Sequence, residues 1–257
     1  MANEISPQDL ITQFEIAIAG NWGYIYGTAG TKWTQSAQNQ KVNYMENKYG
    51  SNWKTSSEAK KDKYYYSAMY GAKWIGHYVA DCSGLFVWAY KKYGLSIAHG
   101  SNSIYKSYCN VKGKLKAGVR EDGKELLPGT AVFTGTENDH GHIGLYIGNG
   151  WVIEASGTQT GVIKSKVSLA KWTYFGELNA VNYGKEPSPA PIPEKDTATV
   201  TGKNVALRYG PTTSAGVITR IATGRTVKLD TPPSDWQYVT VDGKSGYMMK
   251  QFLKPNS

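Results

Sequence analysis

Two short stretches carry the residue types that make and break acyl bonds. At 81–86 the chain reads Asp-Cys-Ser-Gly-Leu-Phe, and about 60 residues later comes Gly141-His142-Ile143-Gly144-Leu145-Tyr146-Ile147-Gly148. A thiol and an imidazole are what a cysteine nucleophile and its base require. Cys82 leads into the apolar run Leu85–Tyr90, which places it in the first turn of an expected helix. Free backbone N–H groups and the helix dipole favour a thiolate there, so a lowered thiol pKa is expected. The same N–H groups, that of Ser83 among them, are placed to stabilise an oxyanion. The alternative for Cys82 is an inert core thiol.

Of the four histidines, 77, 99, 140 and 142, only His142 lies on a convincing core strand; His140, in the turn before it, shares its parity and is its rival. Glu154 follows the Asn149-Gly150 turn on the next strand. It either faces solvent or holds the imidazole as the third member of a triad. Asp139, His140 and His142 make at most a weak surface metal site. With no His-Glu-x-x-His and no paired Cys-x-x-Cys, neither metal nor cofactor is expected.

These residues need a scaffold, and the pattern supplies one. Ser6-Pro7-Gln8-Asp9 is a helix start, with an apolar stripe at Leu10, Ile11, Phe14 and Ile18 ending near Gly20. Residues 21–30 are glycine-rich loop. Residues 35–70 are polar and read as two helices around Gly50-Ser51. Tyr64, Tyr65 and Tyr66 are consecutive and cannot share one helix face. After Leu127-Pro128-Gly129-Thr130 the period changes to two. Residues 131–133, 142–147, 151–155 and 161–163 read as antiparallel strands, with a further one at 174–181. Asn149-Gly150 is a hairpin turn. Helices followed by strands make an α+β domain.

Four prolines at alternating positions within 184–196 make a stiff spacer. It divides a domain at 1–183 from one at 197–257. The latter has short apolar pieces between turn-prone residues and reads as a small all-β barrel. Net charge is +9, divided about evenly between the two parts. That makes an acidic polymer such as a bacterial envelope a plausible partner; the charge is not clustered like a nucleic-acid footprint, and no nucleic-acid partner is expected. The two cysteines make no disulfide framework. No apolar run is long enough to span a membrane, and no membrane partner is expected. The first residues show no basic region followed by an apolar core, so a signal peptide is not expected.

The motifs at 81–84 and 141–148 closely resemble those of the NlpC/P60 family of cell-wall cysteine peptidases, as does Leu127-Pro128-Gly129. The resemblance implies a papain-like fold, with Cys82 as nucleophile, His142 as base and Glu154 at the third polar position. It implies that Tyr24, in Gly23-Tyr24-Ile25-Tyr26-Gly27, helps at the oxyanion site. The family most often has His where Glu154 stands and Asp where Thr130 stands. The segment 30–80 exceeds the family's short spacer and is expected to form a helical insertion at about 31–75, capping part of the groove.

Residues 197–257 resemble a bacterial SH3 domain, through Asn204-Val205-Ala206-Leu207-Arg208-Tyr209-Gly210-Pro211 and through the segments around Trp236 and Tyr247. That resemblance implies peptidoglycan as partner. Tyr209 is the better groove candidate; Trp236 and Tyr247 are either wall-binding residues or barrel core. A catalytic domain, a spacer and a wall anchor are together similar to the layout of a phage endolysin of Gram-positive hosts. Such a protein is made in the host cytoplasm, acts on the wall after release and is antimicrobial. The expected bond is a stem-peptide amide between D-glutamate and the diamino acid. The alternatives are an N-acetylmuramoyl-L-alanine amidase and a wall-binding protein with a dead catalytic core.

Overall fold

Ser6 starts the first helix, α1 (Pro7–Ala19), as an N-cap whose hydroxyl oxygen accepts the Asp9 N–H at 3.0 Å. Such a cap is worth about 1 kcal/mol. The helix buries Leu10, Ile11, Phe14 and Ala17, and Phe14 meets Phe86 edge-on at 4.8 Å between ring centroids. The computed structural model describes residues 4–183, 197–208, 212–213, 215–229, 235–242 and 244–256; the proline spacer at 184–196 and Tyr209 lie outside them. The chain divides into two compact units, Met1–Asn182 and Tyr183–Ser257. Among the described residues no helix is long and apolar enough to cross a membrane.

In the first unit, strands β1 (Ala29–Lys32) and β2 (Tyr78–Ala80) pair antiparallel and frame a polar helical segment. Within it lie α2 (Gln35–Tyr49) and α3 (Tyr65–Tyr70). They enclose a small core of their own: Met45, Trp53, Ala59, Tyr65 and Ala68. Buried Gln38 ties this segment together, accepting from Trp33 Nε1 at 3.1 Å and donating to the Ala68 carbonyl at 2.9 Å. The second helix is shorter than the sequence pattern suggests. Asp62 takes the Tyr64 N–H at 2.9 Å, a local bond that competes with helix, and α3 starts only at Tyr65.

The chain then enters α4 (Cys82–Lys91), which buries Leu85, Phe86, Ala89 and Tyr90, and α5 (Ser101–Ser107). The strands β3 (Cys109–Lys116), β4 (Val119–Arg120), β5 (Ala131–Thr134), β6 (His142–Tyr146), β7 (Trp151–Gly157), β8 (Gly161–Lys166) and β9 (Tyr174–Leu178) complete the unit. They form one antiparallel sheet in the order β4-β3-β9-β5-β6-β7-β8. Asn149 and Gly150 turn β6 into β7 with φ of 52° and 77°, the left-handed region that Asn and Gly tolerate best.

The second unit is all-β. Its strands are β10 (Thr197–Val200), β11 (Val205–Arg208), β12 (Val217–Ile221), β13 (Thr226–Leu229), β14 (Trp236–Val241), β15 (Lys244–Met249) and β16 (Leu253–Pro255). They pair antiparallel in the order β12-β11-β15-β14-β13-β10-β16. The core contains Ala198, Val200, Leu207, Val227, Val239 and Met248. Alternation along β14 sends Gln237, Val239 and Val241 inward and leaves Trp236 half-buried on the other face. Tyr247 is likewise half-buried, opposite Tyr238, with ring centroids 4.9 Å apart. Period two puts Trp236 and Tyr247 beside, and not within, the fully buried cluster.

One glycine fixes how closely the 23–28 loop approaches α4. A Cβ at Gly84 would fall 1.9 Å from the Thr28 carbonyl oxygen, whereas one at Gly141 would meet nothing within 4 Å. Gly84→Ala is expected to lower the unfolding free energy by about 1–3 kcal/mol, and Gly141→Ala to stay within about 0.5 kcal/mol of the parent. Chemical denaturation of the two variants checks the contrast; equal midpoints would contradict it.

Candidate active site

Asp81 organises the entrance to α4. As N-cap its carboxylate accepts the Gly84 N–H at 2.7 Å, and its second oxygen accepts the Gly27 N–H at 2.8 Å. Its own N–H donates to the Thr28 carbonyl at 2.9 Å. The loop bearing Tyr24 is thus tied to the residue before Cys82. Burial raises the Tyr24 phenol pKa, and the Cys82 and Asp81 charges raise it further, so the hydroxyl stays protonated. Ser83 is buried and its hydroxyl donates to Asp81 at 3.2 Å, which leaves its backbone N–H as the group facing Cys82.

Cys82 keeps part of its surface open, and the backbone N–H groups of Ile143, Ser83 and Cys82 itself lie near enough to act on its thiol. The expected lowering of its pKa is corrected. Crowding of protein around the sulfur pushes the thiol up to about 12, and the Asp81 carboxylate adds to the rise. The helix-start N–H groups act in the lowering direction but are outweighed. The resting sulfur is a neutral thiol.

Ile143 belongs to β6, whose first residue is His142. His142 Nε2 lies 2.6 Å from Glu154 Oε2. The register explains the reach: Leu145 pairs with Ile153 and Tyr146 with Val152, and continuing it puts Glu154 opposite Gly144. A Cβ at Gly144 would come within 2.6 Å of Val152, 2.8 Å of Trp172 and 3.3 Å of the Glu154 Cβ, so only glycine fits opposite Glu154. Trp172 stacks against His142 at 5.7 Å and 24°.

Glu154 has no solvent exposure, and Lys171 Nζ stands 2.5 Å and 2.7 Å from its two oxygens. Burial alone would raise this carboxyl; the bonds from His142 and Lys171 more than offset it and hold it at about 2. Glu154 is therefore an ionised acceptor, which fixes the proton of His142 on Nε2.

His140 is not at this site. Its ring is buried among Tyr105, Phe133 and Tyr174, with centroids 3.9, 5.5 and 4.9 Å away, and burial lowers its pKa. Among the described residues no group of three His, Cys, Asp or Glu is placed to hold a metal ion. Two residues at the site escaped sequence reasoning. His99 Nε2 lies 2.9 and 2.8 Å from the two Asp81 oxygens, and Lys171 backs Glu154. His99 sits in a Ser- and Gly-rich stretch and Lys171 resembles any surface lysine, so neither carried a signal.

Residues 61–176 match the NlpC/P60 family and residues 203–254 match the bacterial SH3 domain. The first span includes Cys82, His99, His142, Glu154 and Lys171 and leaves Tyr24 outside. Among similar solved structures is the NlpC/p60 domain of the peptidoglycan hydrolase SagA, at 18% identity and TM-score 0.32, covering 38% of this chain and 76% of that one. RipD of Mycobacterium tuberculosis, described as a non-catalytic NlpC/p60 domain protein adapted to peptidoglycan binding, is 24% identical with TM-score 0.30, covering 41% and 71%. The peptidoglycan hydrolase RipB of the same organism is 21% identical with TM-score 0.31, covering 66% and 82%. No curated protein matches the chain.

The depressed carboxyl has a consequence for acid stability. Glu154 is held at about 2 against an ordinary 4.5, so the folded state binds fewer protons than the unfolded one between those values. Its stabilisation is complete above about 4.5 and is lost as pH falls towards 2. Glu154→Gln is expected to flatten the fall of melting temperature across that window. A variant melting curve that tracks the parent at every pH would contradict this.

Proposed function

We propose that this chain, which carries an NlpC/P60 domain followed by a bacterial SH3 domain, is a peptidoglycan hydrolase that works by cysteine acyl transfer. Its bond is the stem-peptide amide between D-glutamate and the diamino acid. One arrangement carries the reading: His142 bonds Glu154 at 2.6 Å on a strand whose next residue, Ile143, has its backbone N–H close enough to Cys82 to act on the thiol's titration.

With Nε2–H donated to Glu154, Nδ1 keeps its lone pair and is the base. Cys82 Sγ attacks the amide carbonyl carbon while Nδ1 takes the thiol proton, so a thiol held near 12 does not have to ionise beforehand. The carbonyl oxygen becomes an oxyanion, held by the Cys82 and Ser83 N–H groups and by the Tyr24 hydroxyl. Nδ1–H then protonates the departing amine as the C–N bond breaks, leaving a thioester on Sγ. Water, deprotonated by Nδ1, attacks the thioester; the acid leaves and the thiol is restored. No cofactor enters.

The SH3 domain holds the enzyme to peptidoglycan, with Trp236, Tyr247 and Tyr209 as binding residues and its lysines and arginines favouring anionic wall polymers. Catalytic domain followed by binding domain favours a phage lysin of Gram-positive hosts that acts on the wall after release.

Mass spectrometry of digested walls tests the reading. Wild-type protein is expected to expose new amino termini on the diamino acid, and Cys82→Ala to lose at least about 10³-fold in release while still sedimenting with walls. Free L-alanine amino termini would replace the endopeptidase by an amidase. No fragments from wild type would make the chain a wall-binding protein, and unchanged release by Cys82→Ala would remove the nucleophile.

A further inference from the structure

Lys171 takes no part in the steps above, yet its ammonium bridges both oxygens of Glu154, at 2.5 Å and 2.7 Å. Glu154 is wholly buried, while Lys171 keeps 37% of its side chain exposed. The same ammonium lies 4.6 Å from the centroid of the Trp172 ring, which stacks on His142. One dipeptide, Lys171-Trp172, thus provides both the counterion behind the carboxylate and the wall beside the imidazole. We propose that Lys171 is a positioning residue that neutralises Glu154, so that His142 is backed by an electrically neutral Glu154–Lys171 pair rather than by a bare carboxylate. This rests on Cys82 and His142 being the catalytic dyad.

The argument is one of charge. A carboxylate within hydrogen-bond distance favours the imidazolium, by about 1–3 pH units for a close opposite charge. A base that holds its proton that firmly returns it poorly to a leaving amine, and general acid–base catalysis is best when the group titrates near the working pH. A cation on the far side of the same carboxylate cancels most of that pull.

Few other groups compete. His142 faces Glu154 from β6 and Lys171 faces it from the turn before β9. From β8, Ile163 pairs with Glu154 and Ser165 with Val152, while Lys164 turns to Glu15 on α1 at 3.6 Å. From α4, Cys82 reaches the strand that begins with His142. From β5, Thr134 pairs with His142. Lys171 is the one lysine or arginine in contact with the carboxylate among the described ion pairs.

The test is the pH profile of kcat/KM on soluble wall fragments for the full chain and its variants Lys171→Met, Lys171→Arg, Glu154→Gln and Glu154→Gln/Lys171→Met. Lys171→Met is expected to lose about tenfold at neutral pH and to move its acid limb, where the base must shed its proton, up by about one pH unit. Lys171→Arg should rescue both. The double variant, neutral at both positions, should bring the limb back towards wild type and exceed Lys171→Met in activity. An unmoved limb in Lys171→Met, or an arginine variant that behaves like methionine, would overturn the proposal. Should Lys171→Met fold poorly, the double variant is compared with Glu154→Gln alone. There the retained cation should push the limb down by about one pH unit, and coincident limbs would overturn the proposal equally. Cys82→Ala is run alongside: hydrolysis surviving in it would remove the dyad itself, a result separate from any movement of the limb.

Discussion

Glu154 is a carboxylate with no access to water, and the site is arranged around meeting that cost. A lone buried carboxylate is penalised by several kcal/mol, and such groups persist only when paired and hydrogen-bonded. Here the partners come from two directions, an imidazole and an ammonium, so the charge is balanced and both oxygens are occupied. The neighbouring residues follow from that need. Gly144 has no side chain because one would run into Val152, Trp172 and the Glu154 stem. Trp172 covers the pair from above Gly144, and the Asn149-Gly150 turn fixes the register that brings position 154 to position 144.

A second carboxylate, Asp81, performs the matching task at the nucleophile. It caps α4, gathers the Tyr24 loop through Gly27 and pairs with His99. Its charge also raises the Cys82 thiol, so the device that orders the nucleophile works against its ionisation. That conflict assigns the imidazole its role. Where burial and a neighbouring acid keep the thiol neutral, the proton must be taken during attack, and a base with a fixed tautomer is what can take it.

Much of this was legible in the chain. The helix start at Ser6-Pro7, the nucleophile at the mouth of α4 and the strands from Ala131 onward carry strong local signals, because capping and period-two alternation act within a few residues. β3 was not legible. A bulge between Cys109 and Val111 shifts its register, and Gly113 leaves a gap in the pattern where the Phe175 ring lies. β10 and β16 were missed because one is a polar Thr-Ala-Thr-Val run and the other only three residues long. The sign of the Cys82 shift was missed for a different reason. Helix-end effects can be read from sequence, but the crowding that outweighs them is a property of the folded neighbourhood. His99 and Lys171 belong with it, since each acquires meaning only from a carboxylate that is distant in the chain.

The central claim is that His142, oriented by Glu154, activates a thiol that would otherwise be inert. The most direct measurement is the pH dependence of Cys82 alkylation by iodoacetamide in wild type and in His142→Ala, with the modified cysteine located by peptide mass spectrometry. The account predicts that wild type reacts at neutral pH at least about tenfold faster than the variant, at Cys82 and not at buried Cys109, and that the variant reacts only as pH rises towards the titration of the free thiol. Superimposable rate profiles for the two proteins would contradict it.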